Sequence, residues 1–445
     1  MLQEGAALQL DDRGATPPDN HRRGAEREVL FSPKRIDWYR KGSSLLLETL
    51  DQIDKSTLQK LCDDGCPESQ TLDFKRDLPG RSGNPDKEKH ELLKDVCAFA
   101  NTDGGDLVYG VAERDGAAEV PVPITGELAD AAKRRISQIL DAGVEPRIHG
   151  VRLHHIDVDD GYVLVIRVPA SFDGPHCVRT NSNRRFVMRN GTTTTDMSFD
   201  QLRVSFGRTA SLADQARRFI EARIELIIRR KTCAPLVAGP GLILHLVPVS
   251  GVAGRQTVDL RTLHSKSFTD FIGDDWGSGA RTFNFDGLLV NPSGQQTEGF
   301  EAYNHIFRTG AIEGGRSGGV MRPMPGGGEK AIVWSSTMSK FFRDWVSKFV
   351  ASVSKWGFLG PAVLGVAVLD VKGYELAIGD TFNPFRRAAV DRSHLVLPNV
   401  WIDDVNAVNV DAVVGPQMDI LWQAFGAARC IDFDEQSGVY RPSQS

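Results

Sequence analysis

The spacing of hydrophobic and polar positions changes several times along the chain, and each change marks an element. Over residues 43–65, Leu46, Leu50, Ile53, Leu58 and Leu61 recur near helical spacing behind Ser43 or Ser44 as caps, which predicts one or two short helices closed at Gly65. TLDFKRD (71–77) alternates, with Leu72 and Phe74 on one side and Asp73 and Lys75 on the other, the pattern of a half-buried strand. LPGRSGNPD (78–86) carries the Gly, Pro and Asn of a loop. KEKHELLKDVCAFANT (87–102) places Leu92, Val96, Phe99 and Ala100 on one helical face, and Asn101 with Gly104 and Gly105 stops that helix. DLVYGVAE (106–113) is almost continuously apolar and predicts one central strand buried on both faces. A helix over 129–140 follows. RLHHIDV (152–158) and YVLVIRVPA (162–170) then form a hairpin turned at Asp159-Asp160-Gly161, and RRFVMRNGTTTTD (184–196) is a strand ending in a threonine-rich turn.

The pattern then lengthens. SLADQARRFIEARIELIIRRK (211–231) predicts a long amphipathic helix, with Ser211 and Asp214 as a capping box and Leu212, Phe219, Ile220, Ile224, Ile227 and Ile228 as its apolar stripe. Beyond Pro235, strands are predicted at 242–249, 283–290, 299–308, 331–334, 364–371 and 394–402, with helices at 335–356 and near 417–427. In the first of these helices Met338, Phe341, Phe342, Trp345, Phe349 and Val353 share one face, a core signature. The glycine-rich stretches 314–320 and 325–330 are expected in a mobile hairpin loop. The resulting organisation is a disordered N-terminal arm (1–42), a helical lead-in (43–65), a first domain (66–206), a bridging amphipathic helix (207–234) and a C-terminal α+β domain (235–445) whose role the sequence does not state.

Composition narrows the function. A length of 445 residues suits two or three domains, and 41% hydrophobic with 25% charged residues is an ordinary globular balance. Lys plus Arg number 53 against 58 Asp plus Glu, a net charge of −5, so any contact with a polyanion must come from a local patch. The six cysteines are scattered without CxxC spacing, which argues against a zinc site and for reduced, mostly buried thiols in a cytoplasmic protein. No apolar run is long enough for a membrane span, and no secretory leader pattern opens the chain.

Candidate chemistry gathers in the first domain. Glu68 precedes the first strand, Asp73 lies on it, and Glu113 ends the apolar run. Asp73 and Lys75 are two apart and share a strand face. Two or three carboxylates that hold Mg²⁺ or Mn²⁺, with a lysine to steady developing charge, are what metal-dependent phosphodiester cleavage requires. A D-x-K pattern also occurs on many solvated strands, so the spacing alone does not decide between the two. No acidic residue separates Asp173 from Asp196, whereas His176, Arg179, Arg184, Arg185 and Arg189 all lie between them. Guanidinium groups pair bidentately with phosphate. Lys133, Arg134 and Arg135 on the preceding helix extend this set, and Thr192 adds a hydroxyl suited to a phosphate contact. No ATP site is recognised, since no GxxxxGK[ST] occurs. No nucleophile elbow is present, and His154 and His155 read as structural.

ESQTLDFK (68–75), CAFANTDGGDLVYGVAE (97–113), VLVIRVPASFDGPH (163–176) and RFVMRNGTTTTDMS (185–198) follow one another in the order and spacing of the Schlafen AlbA_2 domain, which the chain resembles over about residues 66–206. The resemblance implies an α+β fold, a mixed sheet flanked by helices, followed here by the second α+β domain. It implies nucleic-acid binding. Bacterial members are described as DNA-binding, and some relatives as divergent ATP-binding proteins. In animal Schlafens the similar domain is an endoribonuclease that cuts tRNA with three carboxylates and a divalent metal. Carried onto this chain, the metal ligands fall on Glu68, Asp73 and Glu113, with Asp at the second position and Glu at the third where the family pattern has the converse lengths. Animal Schlafens join two such lobes into a cradle, so here a homodimer would supply the second lobe. The function expected is a nuclease acting on RNA through Mg²⁺ or Mn²⁺. The alternative is a non-catalytic DNA-binding regulator using the same basic segment.

Overall fold

A computed structural model describes residues 50–80, 84–180, 183–265, 279–292, 299–317, 321–323, 331–377 and 388–441. The predicted arm (1–42), the start of the helical lead-in and the second glycine-rich stretch (325–330) lie outside the described residues.

The N-terminal part is built on a mixed four-stranded sheet. Strands β1 (Leu72–Lys75) and β2 (Gly105–Tyr109) are parallel, β2 pairs antiparallel with β7 (Gly161–Val168), and β7 with β6 (Arg152–Val158). Helix α1 (Lys55–Asp63) covers one face, packing Leu58 and Leu61 on Leu72, Phe74, Val108 and Val163. Helices α2 (Pro85–Ala100) and α3 (Ala129–Gly143) cover the other, burying Leu92, Val96, Phe99 and Ile136 against Leu107, Leu164 and Ile166. Pro85 opens α2 behind Asn84, whose side chain accepts from the Lys87 N–H at 3.2 Å. The turn after α2 depends on Gly104, at φ +75°, where a Cβ would come within 2.6 Å of the Ala170 amide nitrogen.

Three features depart from the sequence reading. DLVYGVAE is two strands, because Gly110 at φ +94° breaks it; β3 (Val111–Arg114) leaves the sheet and pairs with β4 (Ala117–Pro121), with a register shift between Ala112 and Glu113. Strand β1 is not half-buried. Its Asp73 face lies beneath a second small sheet, β10 (Thr193–Asp196), β9 (Arg184–Asn190), β8 (Cys177–Arg179) and β5 (Val144–Glu145). The long helix, α4, starts twelve residues early, at Phe199–Ile228, and its capping box is Ser198 with Gln201 rather than Ser211 with Asp214. Phe199, Val204 and Phe206 are exposed on its first turns, so that segment lacks the apolar stripe on which a periodicity argument relies.

The C-terminal part is an eight-stranded sheet with helices on both faces. Strands β11 (Gly241–Pro248), β12 (Gly279–Phe283), β13 (Gly287–Pro292), β14 (Ala302–Phe307), β15 (Ile312–Ser317), β18 (Ala362–Leu369), β20 (Leu395–Val396) and β21 (Val400–Ile402) form it. Strands β16 (Met321–Pro323), β17 (Ala331–Trp334) and β19 (Glu375–Ala377) make a separate three-stranded sheet. Because β11 alternates, Ile243 and Val247 meet Ile220 and Ile224 of α4. Leu242, Leu244 and Leu246 instead meet Phe342, Trp345 and Phe349 of the helix Ser335–Lys355 and Trp422 of the helix Val410–Ala424. Of the predicted α4 stripe, Ile228 is exposed. Gly314 and Gly315, expected in a mobile loop, lie in β15 under the rings of Phe349, Trp345 and Tyr303. Among the described residues, no helix is long and apolar enough to cross a membrane.

Candidate functional site

The acidic candidates come together at the C-terminal edge of β1. Glu68 accepts from the Phe74 N–H at 3.0 Å, which turns its carboxyl over the strand. There it lies near the carboxyl of Glu113, which β3 carries beyond the Gly110 break. Burial first, then the negative charges of Asp73 and Glu113, push Glu68 up to about 7.

Asp73 takes a different course. It is 4% exposed; its Oδ1 accepts from Arg189 Nη2 at 2.9 Å and its Oδ2 faces the Lys75 ammonium. Arg189 is itself 2% exposed, donates also to the carbonyls of Ser69 and Leu72 at 3.1 and 3.4 Å, and lies over the Phe99 ring, 4.6 Å from its centre. Lys75 has a second acid nearby, Asp95 of α2, at 3.9 Å. Burial works against the lysine's charge, yet Asp73, Asp95 and Glu68 together hold it above its ordinary value. Burial pushes Asp95 up to about 6, with Lys75 opposing and Asp73 adding to the shift. Asp95 carries no motif; its position in α2, facing β1 and within reach of Thr194 Oγ1 at 3.3 Å, is a tertiary fact that the sequence does not signal.

A resident divalent metal is not well matched by this arrangement. Among the described residues, no three His, Cys, Asp or Glu side chains are grouped so as to hold an ion. Asp73 is neutralised by Arg189 and Lys75, so one of the three expected ligands is already committed.

The basic candidates divide into buried and exposed sets. Arg189 is a core residue, and His176 is 0% exposed, with Nδ1 2.8 Å from the Pro146 carbonyl and Nε2 2.6 Å from Ser171 Oγ; both are closed off from solvent. Arg135 is held by Glu127 at 2.8 and 3.0 Å and by the Pro79 carbonyl. The basic pattern along the chain assigns these three to phosphate, and tertiary partners claim them instead. Arg179, Arg184 and Arg185 remain accessible. Arg179 and Arg184 are directly opposed across β8 and β9, with the Glu145 carboxylate close to both and Arg179 also donating to the Ala142 carbonyl at 3.0 Å. Arg184 pairs with Glu145 at 2.9 Å and Arg185 with Asp196, all four side chains being more than 40% exposed. Arg134 is exposed on α3, next to Lys133, which pairs with Asp130 at 3.0 Å. Thr192 is exposed at the β9–β10 turn.

Residues 68–198 match a family model described as Schlafen, AlbA_2. No curated protein matches the chain. Solved structures similar to it include the DIP2311 protein from Corynebacterium diphtheriae, at 22% identity and TM-score 0.21, covering 29% of this chain and 22% of that one. Another is the N-terminal domain of a RecG-related protein from Nitrosomonas europaea, at 22% identity and TM-score 0.23, covering 30% of this chain and 84% of that domain.

Proposed function

From the Schlafen AlbA_2 model that residues 68–198 match, we propose that this chain binds nucleic acid on the β8–β9 strand pair, where Arg179 and Arg184 face each other. The observation that carries the proposal is the accessible cross-strand pair Arg179–Arg184, with Arg185 next along β9 on the other face. Their acids, Glu145 and Asp196, are solvent-exposed, and such pairs are worth about 0–1 kcal/mol, so a phosphate can displace them. Phosphate contacts of this kind position a backbone without reading bases, and Lys133, Arg134 and Thr192 would lengthen the track. The test is fluorescence anisotropy with labelled single-stranded RNA, tRNA and duplex DNA across a salt series. In the Arg179→Ala/Arg184→Ala/Arg185→Ala variant, the slope of log affinity against log salt should fall by about 0.7–0.9 for each phosphate no longer neutralised. An unchanged slope would remove these arginines from the interface.

A second reading, cleavage of the bound RNA, is favoured by the Glu68–Glu113 pair. A carboxyl held near 7 gives and takes protons at neutral pH, and Lys75 lies near enough to offset charge on a phosphoryl group. Incubation of tRNA with Mn²⁺ or EDTA, beside Glu68→Gln, separates the versions. Cutting that EDTA abolishes would mean that Asp73 leaves Arg189 to complete a metal site. Cutting that survives EDTA and is lost in Glu68→Gln would assign the step to the carboxyl pair. Intact RNA in every lane leaves a binding protein.

A further inference from the structure

Outside the Schlafen AlbA_2 domain, one set of side chains has the make-up of a thiol-activating centre. Cys233 lies between α4 and β11, His305 is on β14, and Asn284 sits in the turn joining β12 to β13. The Cys233 sulfur is 3.9 Å from His305 Nδ1. On the far side of the ring, Nε2 is 3.2 Å from Asn284 Oδ1 and 3.1 Å from its Nδ2, so distance alone does not orient the amide. Gly287 does. Its backbone N–H donates to Asn284 Oδ1 at 2.7 Å, which identifies that atom as the oxygen. In the tautomer that carries its proton on Nε2, the ring donates to Oδ1 and leaves the Nδ1 lone pair facing the thiol. The same fixed amide directs an N–H at the sulfur, 3.4 Å away. The thiol proton thus has an acceptor, and the sulfur has a donor for the charge it develops.

We infer that Cys233 is a thiol–disulfide exchange site for low-molecular-weight disulfides, with His305 as its base and Asn284 holding both the ring and the sulfur. An external disulfide is the partner because Cys233 is the exposed cysteine of the six, whereas Cys62, Cys97, Cys177 and Cys430 are buried and Cys66 is half-buried. The Cys233 sulfur attacks one sulfur of the disulfide, forming a mixed disulfide as the original S–S bond breaks. The Cys233 proton passes to His305 Nδ1 and then to the departing thiolate, so the products are the modified chain and one free thiol. The surrounding charges suit transfer during attack rather than a standing ion pair. Burial and Glu313 raise the thiol, with Arg223 opposing and Asp286 reinforcing; burial and Arg223 lower the imidazole against Glu313 and Asp286. Thiol and imidazole both rest neutral.

The test uses the full chain and oxidised glutathione, followed by intact mass and peptide mapping over a range of pH. The expected result is one glutathione per chain, on Cys233, at a rate nearly level from about pH 6.5 to 8, because a neutral imidazole is already in place. A rate that climbs about tenfold per pH unit through that range, as for an unassisted thiol, would overturn the assignment. So would first labelling at Cys66. Asn284→Ala, in an exposed turn, should slow exchange several-fold and His305→Gln by about tenfold or more at neutral pH. Since His305 is buried and its variant can misfold, the wild-type pH profile decides by itself.

Discussion

Two buried guanidinium–carboxylate pairs, one in each half of the molecule, behave in opposite ways. Arg223 of α4 meets Glu313 of β15 through two bonds of 2.6 and 3.0 Å, and the same carboxylate accepts from Tyr303 at 2.8 Å and faces His245 Nε2 at 3.0 Å. Although burial alone would raise Glu313, His245 and Arg223 hold it far below the usual carboxylate range. Arg189 and Asp73 form a similar pair, but around it lie Asp95, Glu68 and Glu113, with Lys75 the additional cation named at the site. There the neighbouring acids are held up, Asp95 at about 6 and Glu68 at about 7. One pair completes a core; the other sits in an excess of negative charge that packing does not relieve. Sites with shifted, mutually dependent carboxyls of this kind are where proton transfer or ligand charge is accommodated.

The comparison can be broken at several points. Arg223→Ala leaves Glu313 charged beneath a sheet and should lower unfolding stability by about 3–5 kcal/mol in urea titration; a decrease under about 1 kcal/mol would mean that the pair is not sealed. Asp73→Asn keeps an acceptor for Arg189 but removes a charge, so stability should fall by about 1–2 kcal/mol. In the same variant, carboxyl NMR should show Glu68 and Asp95 titrating lower; unchanged titrations would show that Asp73 is not part of their field. The pH profiles should run in opposite directions. Glu68 has a folded value above its usual one near about 4.3, so its contribution is whole below that pH and fades as pH rises through about 7. Glu313 has the reverse shift, contributing fully above about 4.3 and less as pH falls. Glu68→Gln should therefore stabilise the protein at pH 8 relative to pH 5, by on the order of 1 kcal/mol given its half-exposed setting. Smallest is Arg184→Ala, whose effect on stability should stay within about 0.5 kcal/mol while nucleic-acid affinity drops. A larger fall in stability would make it another Arg189.

Much of this contrast is invisible along the chain. Arg185 and Arg189 flank the apolar run Phe186-Val187-Met188 on one face of β9 and look equivalent, but Arg189 is buried against Asp73 while Arg185, four residues nearer the strand's start, is half-exposed and pairs with Asp196. His176 reads as a basic-patch residue until the loop carrying it is seen closed on Pro146 and Ser171. Asp73 and Glu113 are legible as candidate acids because each ends or interrupts an apolar run. Asp95 is not, since on a helix with Leu92 and Val96 an isolated acid looks like solvated surface. The true capping box escapes a periodicity argument because α4 begins with exposed Phe199, Val204 and Phe206, where polar and apolar positions do not yet follow helical spacing.

The order of hydrophobic and polar residues by itself determined much of the alternation of strands and helices, the largely apolar central strands β2, β7 and β11, each broken by one charged or polar residue (Asp106, Arg167, His245), and the packing face of the helix Ser335–Lys355. Each of these follows from local period and side-chain volume, which are properties of neighbours in the chain. Only the tertiary structure decided which charges are neutralised. A carboxylate's state depends on the cations and on the water within a few ångströms, and for Asp73 one of the two, Arg189, comes from a strand more than a hundred residues away while Lys75 is its neighbour on β1.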